Sequence, residues 1–305
     1  MRVFVTGTTG FIGSAIVTEL VDAGHRVLGL TRSAAGAKSL AAAGVEIHQG
    51  DLEDQESLRL GASMCDGVVH TAFVHDFTNW TTSCEMDRRA IEALGSGLAG
   101  LNRPLVVASG TGVARTAGQL ATEEDPQSIS SGIPRIASEE AVQAVTALGV
   151  QASVVRLPPI VHGEGDNGFI PEMIAIARQR GVSAYVEDGL NRWPAVHRFD
   201  AAYLFRLALE RGTAGAIYNG VADEGVAIRA IAEVIGRRLR LPIVSISVEE
   251  AAEHFGFLGR LLSLDMRASS ASTRRLLGWQ PKQPALTADF DQMRYFEAVT
   301  PGLNW

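Results

Sequence analysis

Short apolar runs and amphipathic stretches alternate along the first half of the chain. Arg2 to Thr6 reads as a strand, and Phe11 to Ala23 as a helix with Ile12, Ala15, Ile16 and Leu20 on one stripe. Further strands are expected at Val27 to Thr31, Val45 to Gln49, Gly67 to His70, Leu105 to Ala108 and Ala152 to Arg156. Helices fall between them at Ala34 to Ala43, Gln55 to Leu60, Cys84 to Leu98 and Arg135 to Leu148. Such alternation demands a parallel sheet with right-handed crossovers and helices on both faces, which is a doubly wound α/β fold. After Arg156 the texture changes. Pro158, Pro159 and the turn-rich stretch from Gly163 to Gly168 cannot continue a regular sheet, and a helix follows from Ile170 to Arg180. The chain is read there as leaving the first domain for a smaller one.

Between the first strand and helix lie Gly7, Thr9, Gly10 and, one turn into the helix, Gly13. Gly7 lets the chain turn sharply, Gly10 lets backbone N–H groups approach a pyrophosphate, and Gly13 lets the helix pack close on the strand. The free N–H groups at the helix start favour an anion. A plain strand-to-helix turn is the competing reading; the strand before, the helix after and the second strand beyond favour a dinucleotide site.

The spacing is TGxxGxxG, and Thr6, Gly7, Gly10, Phe11, Ile12 and Gly13 resemble the fingerprint of the extended and atypical short-chain dehydrogenase/reductase superfamily. Gly50-Asp51-Leu52, His70-Thr71-Ala72, Ser109-Gly110-Thr111, Arg156-Leu157-Pro158 before Val161-His162-Gly163, and the run ending in His197-Arg198-Phe199-Asp200 lie where that superfamily has comparable motifs. The resemblance implies a Rossmann-type NAD(P)-binding domain over residues 1–157 with a return segment near 194–221. The smaller substrate domain is then built from 158–193 and 222–305. Asp51 would lie beside the adenine amino group, with Leu52 as an apolar wall, although Asp51 can equally cap the helix near Gln55. Thr71, Ala72 and Phe73 close the fourth strand, where small residues let backbone run close to the cofactor. Ser109 and Pro158 fall on the cofactor side. His197 and Asp200 are read as structural, as is the closing segment around Gly278 to Pro281. Dimerisation is common in the superfamily, so a homodimer is a possible state.

Composition narrows the partners. The 305 residues are 46% hydrophobic and 20% charged, with a net charge of −7 and no long basic run, which argues against a nucleic-acid surface. Cys65 and Cys84 are the only cysteines, so neither a disulfide framework nor a metal site is indicated. No apolar run reaches membrane-spanning length, and the first strand begins at residue 2, so a cytoplasmic protein without a signal peptide and without membrane attachment is expected. At the end of the second strand, where an acidic residue would accept hydrogen bonds from the adenosine ribose and repel a 2′-phosphate, the chain carries Thr31, Arg32 and Ser33. A guanidinium pairs well with a phosphate, so NADP is favoured, with NAD possible; Arg32 as a plain surface charge is the alternative, and Lys38 is a weaker second candidate.

The superfamily's usual machinery is a Ser or Thr after the fifth strand and a YxxxK pair on the next long helix. Thr111 supplies the hydroxyl by alignment. The YxxxK positions hold Ser131 and Arg135, and the tyrosines at 185, 203, 218 and 295 lie outside that helix. Arginine stays charged near neutral pH, so Arg135 can hold ribose hydroxyls and stabilise a developing alkoxide but cannot donate the proton. His162, His75 beside Asp76, and water relayed through Thr111 are the open proton sources. Sugar-nucleotide members carry an arginine four positions before His197; Trp193 stands there, pointing to an apolar or ring-shaped ligand unless the indole is core. The expected activity is an NADP-dependent carbonyl reductase or alcohol dehydrogenase acting on a small-molecule substrate. The rivals are a non-catalytic redox sensor and a sugar epimerase or dehydratase.

Overall fold

The computed structural model describes residues 1–114, 118–125, 133–292 and 294–297. The first half of the chain builds β1 (Arg2–Thr6), α1 (Phe11–Asp22), β2 (Arg26–Thr31), α2 (Ala34–Ala42), β3 (Glu46–Gln49), α3 (Gln55–Ser63), β4 (Gly67–His70), α4 (Trp80–Leu98), β5 (Pro104–Gly110), α5 (Ile136–Ala147) and β6 (Gln151–Leu157). Then follow β7 (Ile160–His162), α6 (Phe169–Arg180), β8 (Ser183–Val186), β9 (Arg192–His197), α7 (Arg198–Arg211) and β10 (Ile217–Asn219). The rest is β11 (Asp223–Ala227), α8 (Ile228–Leu239), β12 (Ile243–Ile246), α9 (Val248–Phe255), α10 (Leu258–Leu262), α11 (Ala271–Leu277), α12 (Leu286–Phe290) and α13 (Arg294–Glu297).

The central sheet has seven strands in the order β10-β6-β5-β4-β1-β2-β3, every pair parallel. Alternation along each strand divides its side chains between two cores. Val3 and Val5 join Val27, Val69, Val106 and Val155 beneath Ile16 and Leu20 of α1 and Leu204 and Phe205 of α7. Phe4 joins Leu28, Val68, Leu105 and Val154 on the opposite face, against Leu58 of α3, Ile91 and Leu94 of α4 and Val142 of α5. Each such side chain, fully buried, stabilises the fold by about 1.5–3 kcal/mol.

A third core stands apart from the sheet. Ile160, Ile174, Trp193, Ile228, Ile231, Leu258 and Phe290 gather there, drawn from β7, α6, β9, α8, α10 and α12. A three-stranded sheet, β11-β9-β7, and a two-stranded one, β12-β8, form its frame. The chain returns to the main sheet twice after leaving it: α7 packs on α1, and β10 pairs with β6 at the edge.

Candidate active site

In the central sheet the chain runs outward from β1 in both directions, toward β2 on one side and β4 on the other. The carboxyl ends of these strands therefore open a crevice at Thr6 and His70. Gly7 begins the turn there at φ +76°, and a Cβ on it would stand 2.7 Å from the Ala72 backbone nitrogen. A Cβ on Gly13 would stand 1.9 Å from the Gly7 carbonyl oxygen, so only hydrogen lets α1 approach the strand this closely. Gly10 is the N-cap of α1; it offers no side-chain cap, and the first turn holds no acidic residue. The positive pole of α1 thus meets the crevice uncompensated, as an anion site requires. Thr71 ties the fourth strand to the first by donating its hydroxyl to Thr6 O at 2.8 Å, and Ala72 N–H reaches Thr6 Oγ1 at 3.3 Å.

From Thr6 a chain of buried polar groups runs under the crevice. Thr6 Oγ1 and His70 Nδ1 are 2.7 Å apart, and His70 Nε2 lies 3.0 Å from Asp87 Oδ1. Arg135 and Ser138 donate to Asp87 Oδ2, each at 2.5 Å, and a second Arg135 nitrogen donates to Ala108 O at 2.9 Å. Burial alone would raise the Asp87 carboxyl; the Arg135 charge, with His70 and Ser138, holds it well below the usual carboxylate range. The guanidinium also covers the Phe73 ring at 4.0 Å from its centroid. A second buried pair lies one strand over: Arg156 grips Glu139 through two bonds of 2.8 Å, and Ser109 donates to the same carboxylate at 2.8 Å. Just beyond, Thr111 is 3% exposed, and its hydroxyl has no hydrogen-bond partner among the described residues.

The model of the NAD dependent epimerase/dehydratase family matches residues 3–219. The chain belongs to that family. The chain is 27% identical, over 84% of its length and 80% of the other's, to a 4-hydroxy-2-methyl-3-oxo-4-farnesyl-3,4-dihydroquinoline-1-oxide ketoreductase of Stigmatella aurantiaca. An uncharacterized protein of Schizosaccharomyces pombe is 51% identical over 97% of this chain and 100% of its own length. Among solved structures, the dTDP-glucose 4,6-dehydratase of Streptomyces venezuelae, determined with NAD bound, is 19% identical and superposes with a TM-score of 0.77 over 97% of each chain, a likeness of fold. The glycine turn, the uncapped helix and the crevice fit the dinucleotide that the family uses.

Against the sequence expectations, the epimerase/dehydratase framework brings some residues together and separates others. Gly7, Thr9, Gly10, Phe11, Ile12 and Gly13 lie on the β1–α1 turn and the first turn of α1, and Phe73 follows at the end of β4. Thr31 ends β2 with its hydroxyl turned to Ser33, while Arg32 reaches solvent, 81% exposed, with Asp51 at 3.9 Å. Asp51 does not cap α3: it accepts from Glu53 N–H at 2.9 Å, and Asp54 is the cap, accepting from Ser57 N–H. Leu52 packs on the core beside it. Pro158 is buried between β6 and β7. Ser131 lies outside the described residues.

Several expectations are corrected. Trp193 is core: it is fully buried and donates its indole N–H to Leu264 O at 3.1 Å, so it offers no surface to a ligand. His162 is likewise fully buried, its Nδ1 2.8 Å from Asp289 Oδ2 and its ring edge-on to His197, which withdraws it from an open cleft. Asp76 does not raise the pKa of its neighbour. Bonds from Thr78 and Asn79 pull its own carboxyl down to about 2, while His75 moves the other way from the expected direction. Although part of His75 reaches solvent, burial of its ring beside Phe73 and Trp80, together with the Arg135 charge, pushes it down to about 4. Ser109 faces Glu139 and has spent its proton there. Arg135 is not a free cation, because Asp87 neutralises it.

Asp87 and His70 were not singled out from the sequence as site residues. The signal was present for one of them: Cys84, Asp87, Ile91, Leu94 and Leu98 share the buried face of α4, and a carboxylate interrupting such a stripe needs a cationic partner.

Proposed function

We propose that the protein is an NADP-dependent reductase of a carbonyl group on a small molecule, running in reverse as an alcohol dehydrogenase. The observation that carries this reading is the Thr111 hydroxyl, buried just beyond the carboxyl end of β5 without a partner among the described residues. Buried polar groups are nearly always hydrogen-bonded, and an exception beside a cofactor crevice is a donor held for a substrate oxygen. When bound, the dinucleotide supplies the hydride; everything else is asked of the chain. Thr111 orients the substrate oxygen and passes a proton to it from water. Arg135, neutralised by Asp87, holds Phe73 in place and offers its remaining N–H groups as hydrogen-bond donors, so its contribution is positional more than electrostatic. His75 is neutral above about pH 4 and serves as an acceptor rather than an acid in the neutral range. The preference for NADP is supported by the exposed Arg32 and by the absence of an acidic side chain at the end of β2.

A non-catalytic dinucleotide sensor is the second reading, favoured by the pairing that consumes the Arg135 charge. The two separate in one experiment: oxidation of NADPH followed against a panel of aldehydes and ketones, for the wild type and Thr111→Val. Reductase activity predicts turnover by the wild type, a kcat about 100-fold lower for the variant and an unchanged Kd for NADPH. Tight NADPH binding without turnover of any carbonyl would instead make the protein a sensor.

A further inference from the structure

We propose that Arg198, the first residue of α7, is a ligand of the cofactor diphosphate, a cation brought to the glycine turn from the far side of the chain. This inference rests on the dinucleotide reading of that turn. Its guanidinium carbon lies 4.5 Å from the centroid of the Phe11 ring, at the first residue of α1. One terminal nitrogen donates to Ser14 Oγ at 2.8 Å, on the same first turn. The other donates to the Glu164 carbonyl oxygen at 2.8 Å, fixing the loop between β7 and α6. The side chain is threaded past that loop closely enough that a Cβ on Gly163 would come 3.0 Å from Arg198 Cγ.

The electrostatics are incomplete as they stand. Its two acceptors are neutral oxygens, and among the described residues Nε is buried without an acceptor and Arg198 forms no ion pair with a carboxylate. Burial makes the charged form harder to hold, lowering the pKa of the group, and only the field of Glu164 opposes that. The neighbour on its other side is the uncapped positive pole of α1, which repels it. A half-buried cation set against a positive helix end is unfavourable, and an anion between them relieves it. A diphosphate carries two negative charges and enough oxygens to accept from the α1 backbone and from a guanidinium at once. Because the same guanidinium holds Glu164, cofactor binding and the position of the β7–α6 loop are coupled through one side chain.

The test is titration calorimetry of NADPH, NADH, ADP-ribose and 2′-AMP against the wild type, Arg198→Gln and Arg198→Lys, with the melting temperature of each variant measured alongside. A diphosphate contact predicts that Arg198→Gln weakens NADPH, NADH and ADP-ribose alike, by roughly 10- to 100-fold, as expected for a lost charge-assisted hydrogen bond. It predicts 2′-AMP unchanged, because that ligand has no diphosphate, and Arg198→Lys within about 5-fold of wild type. Equal affinities in wild type and Arg198→Gln would overturn the assignment and leave Arg198 as a strap between α1 and the loop. Loss in both variants with a collapse of the melting temperature would overturn it as well, by making the effect structural. A well-folded wild type that binds none of the dinucleotides would refute the dinucleotide reading itself, a result distinguishable from either.

Discussion

Burial pushes the Asp166 carboxyl up to about 7, and the nearby Asp289 charge adds to the rise, while the Gly168 N–H at 2.7 Å works against it. The sign of the consequence follows from linkage. The unfolded chain ionises this group near the ordinary value of 3.8, whereas the folded chain keeps it protonated to about 7. Its contribution to stability is therefore present at acid pH and is lost as the pH rises through that window. Asp166→Asn keeps an oxygen for Gly168 and never ionises. Chemical denaturation between pH 4 and 8 is expected to show a wild-type decline that the variant lacks, with the variant ahead at pH 8 on the order of 1–3 kcal/mol, discounted for partial exposure. Parallel pH profiles for the two proteins would refute it. Trp193 shows the limit of reading single residues: an indole in place of an arginine announces a changed site in sequence, but only packing reveals that it has joined Ile174 and Leu258 in the core.

Among the elements, α4 and α5 are joined by the Arg135–Asp87 pair, with Asp87 2% and Arg135 14% exposed. A pair buried to this degree is costly to break from one side, because the survivor is left charged and alone. Asp87→Asn is expected to lose about 3–5 kcal/mol of unfolding free energy in urea at pH 7, and Asp87→Asn combined with Arg135→Gln is expected to recover part of it. Equal losses for the single and double variants would contradict the pairing. The elements themselves were largely legible. β4 occupies the expected Gly67–His70 span, and β2, α2, β3 and α6 agree to within a residue at each end, because short apolar runs mark strands covered on both faces and a period of 3.6 marks helices with one face buried. α4 begins at Trp80, before the expected Cys84, since Thr81, Thr82 and Ser83 favour loops locally and tertiary contacts override them. Trp80 stacks on Phe77 at 5.0 Å, and Asp76 organises the turn before it through Thr78 and Asn79. What no local pattern carries is pairing at a distance. His70 and Thr6 sit on neighbouring strands, and Asp87 meets Arg135 across 48 positions of sequence. The glycine turn was readable because its chemistry is contiguous; the network beneath it was not, because the fold assembles it.

For the whole molecule, the main sheet supplies a rigid crevice while the chain that leaves it returns at α7 and β10. Asp200 on α7 accepts from Lys282 and Gln283 N–H at 2.8 and 3.0 Å, and Trp279 donates to its carbonyl, so the segment 279–283 is fastened to the helix that carries Arg198. Among the described residues no helix is long and apolar enough to cross a membrane. The proposed activity requires the crevice to take up a pyridine nucleotide, and the proposed NADP preference requires Arg32 to hold the 2′-phosphate. Calorimetric titration of the folded wild type and Arg32→Ala with NADPH and NADH tests this most directly. The expected result is one nucleotide per chain, NADPH bound at least about 10-fold more tightly than NADH, and that preference lost in the variant through weaker NADPH binding alone. A folded protein that takes up neither nucleotide would contradict the account at its root, and one that prefers NADH, with or without Arg32, would contradict the choice of cofactor.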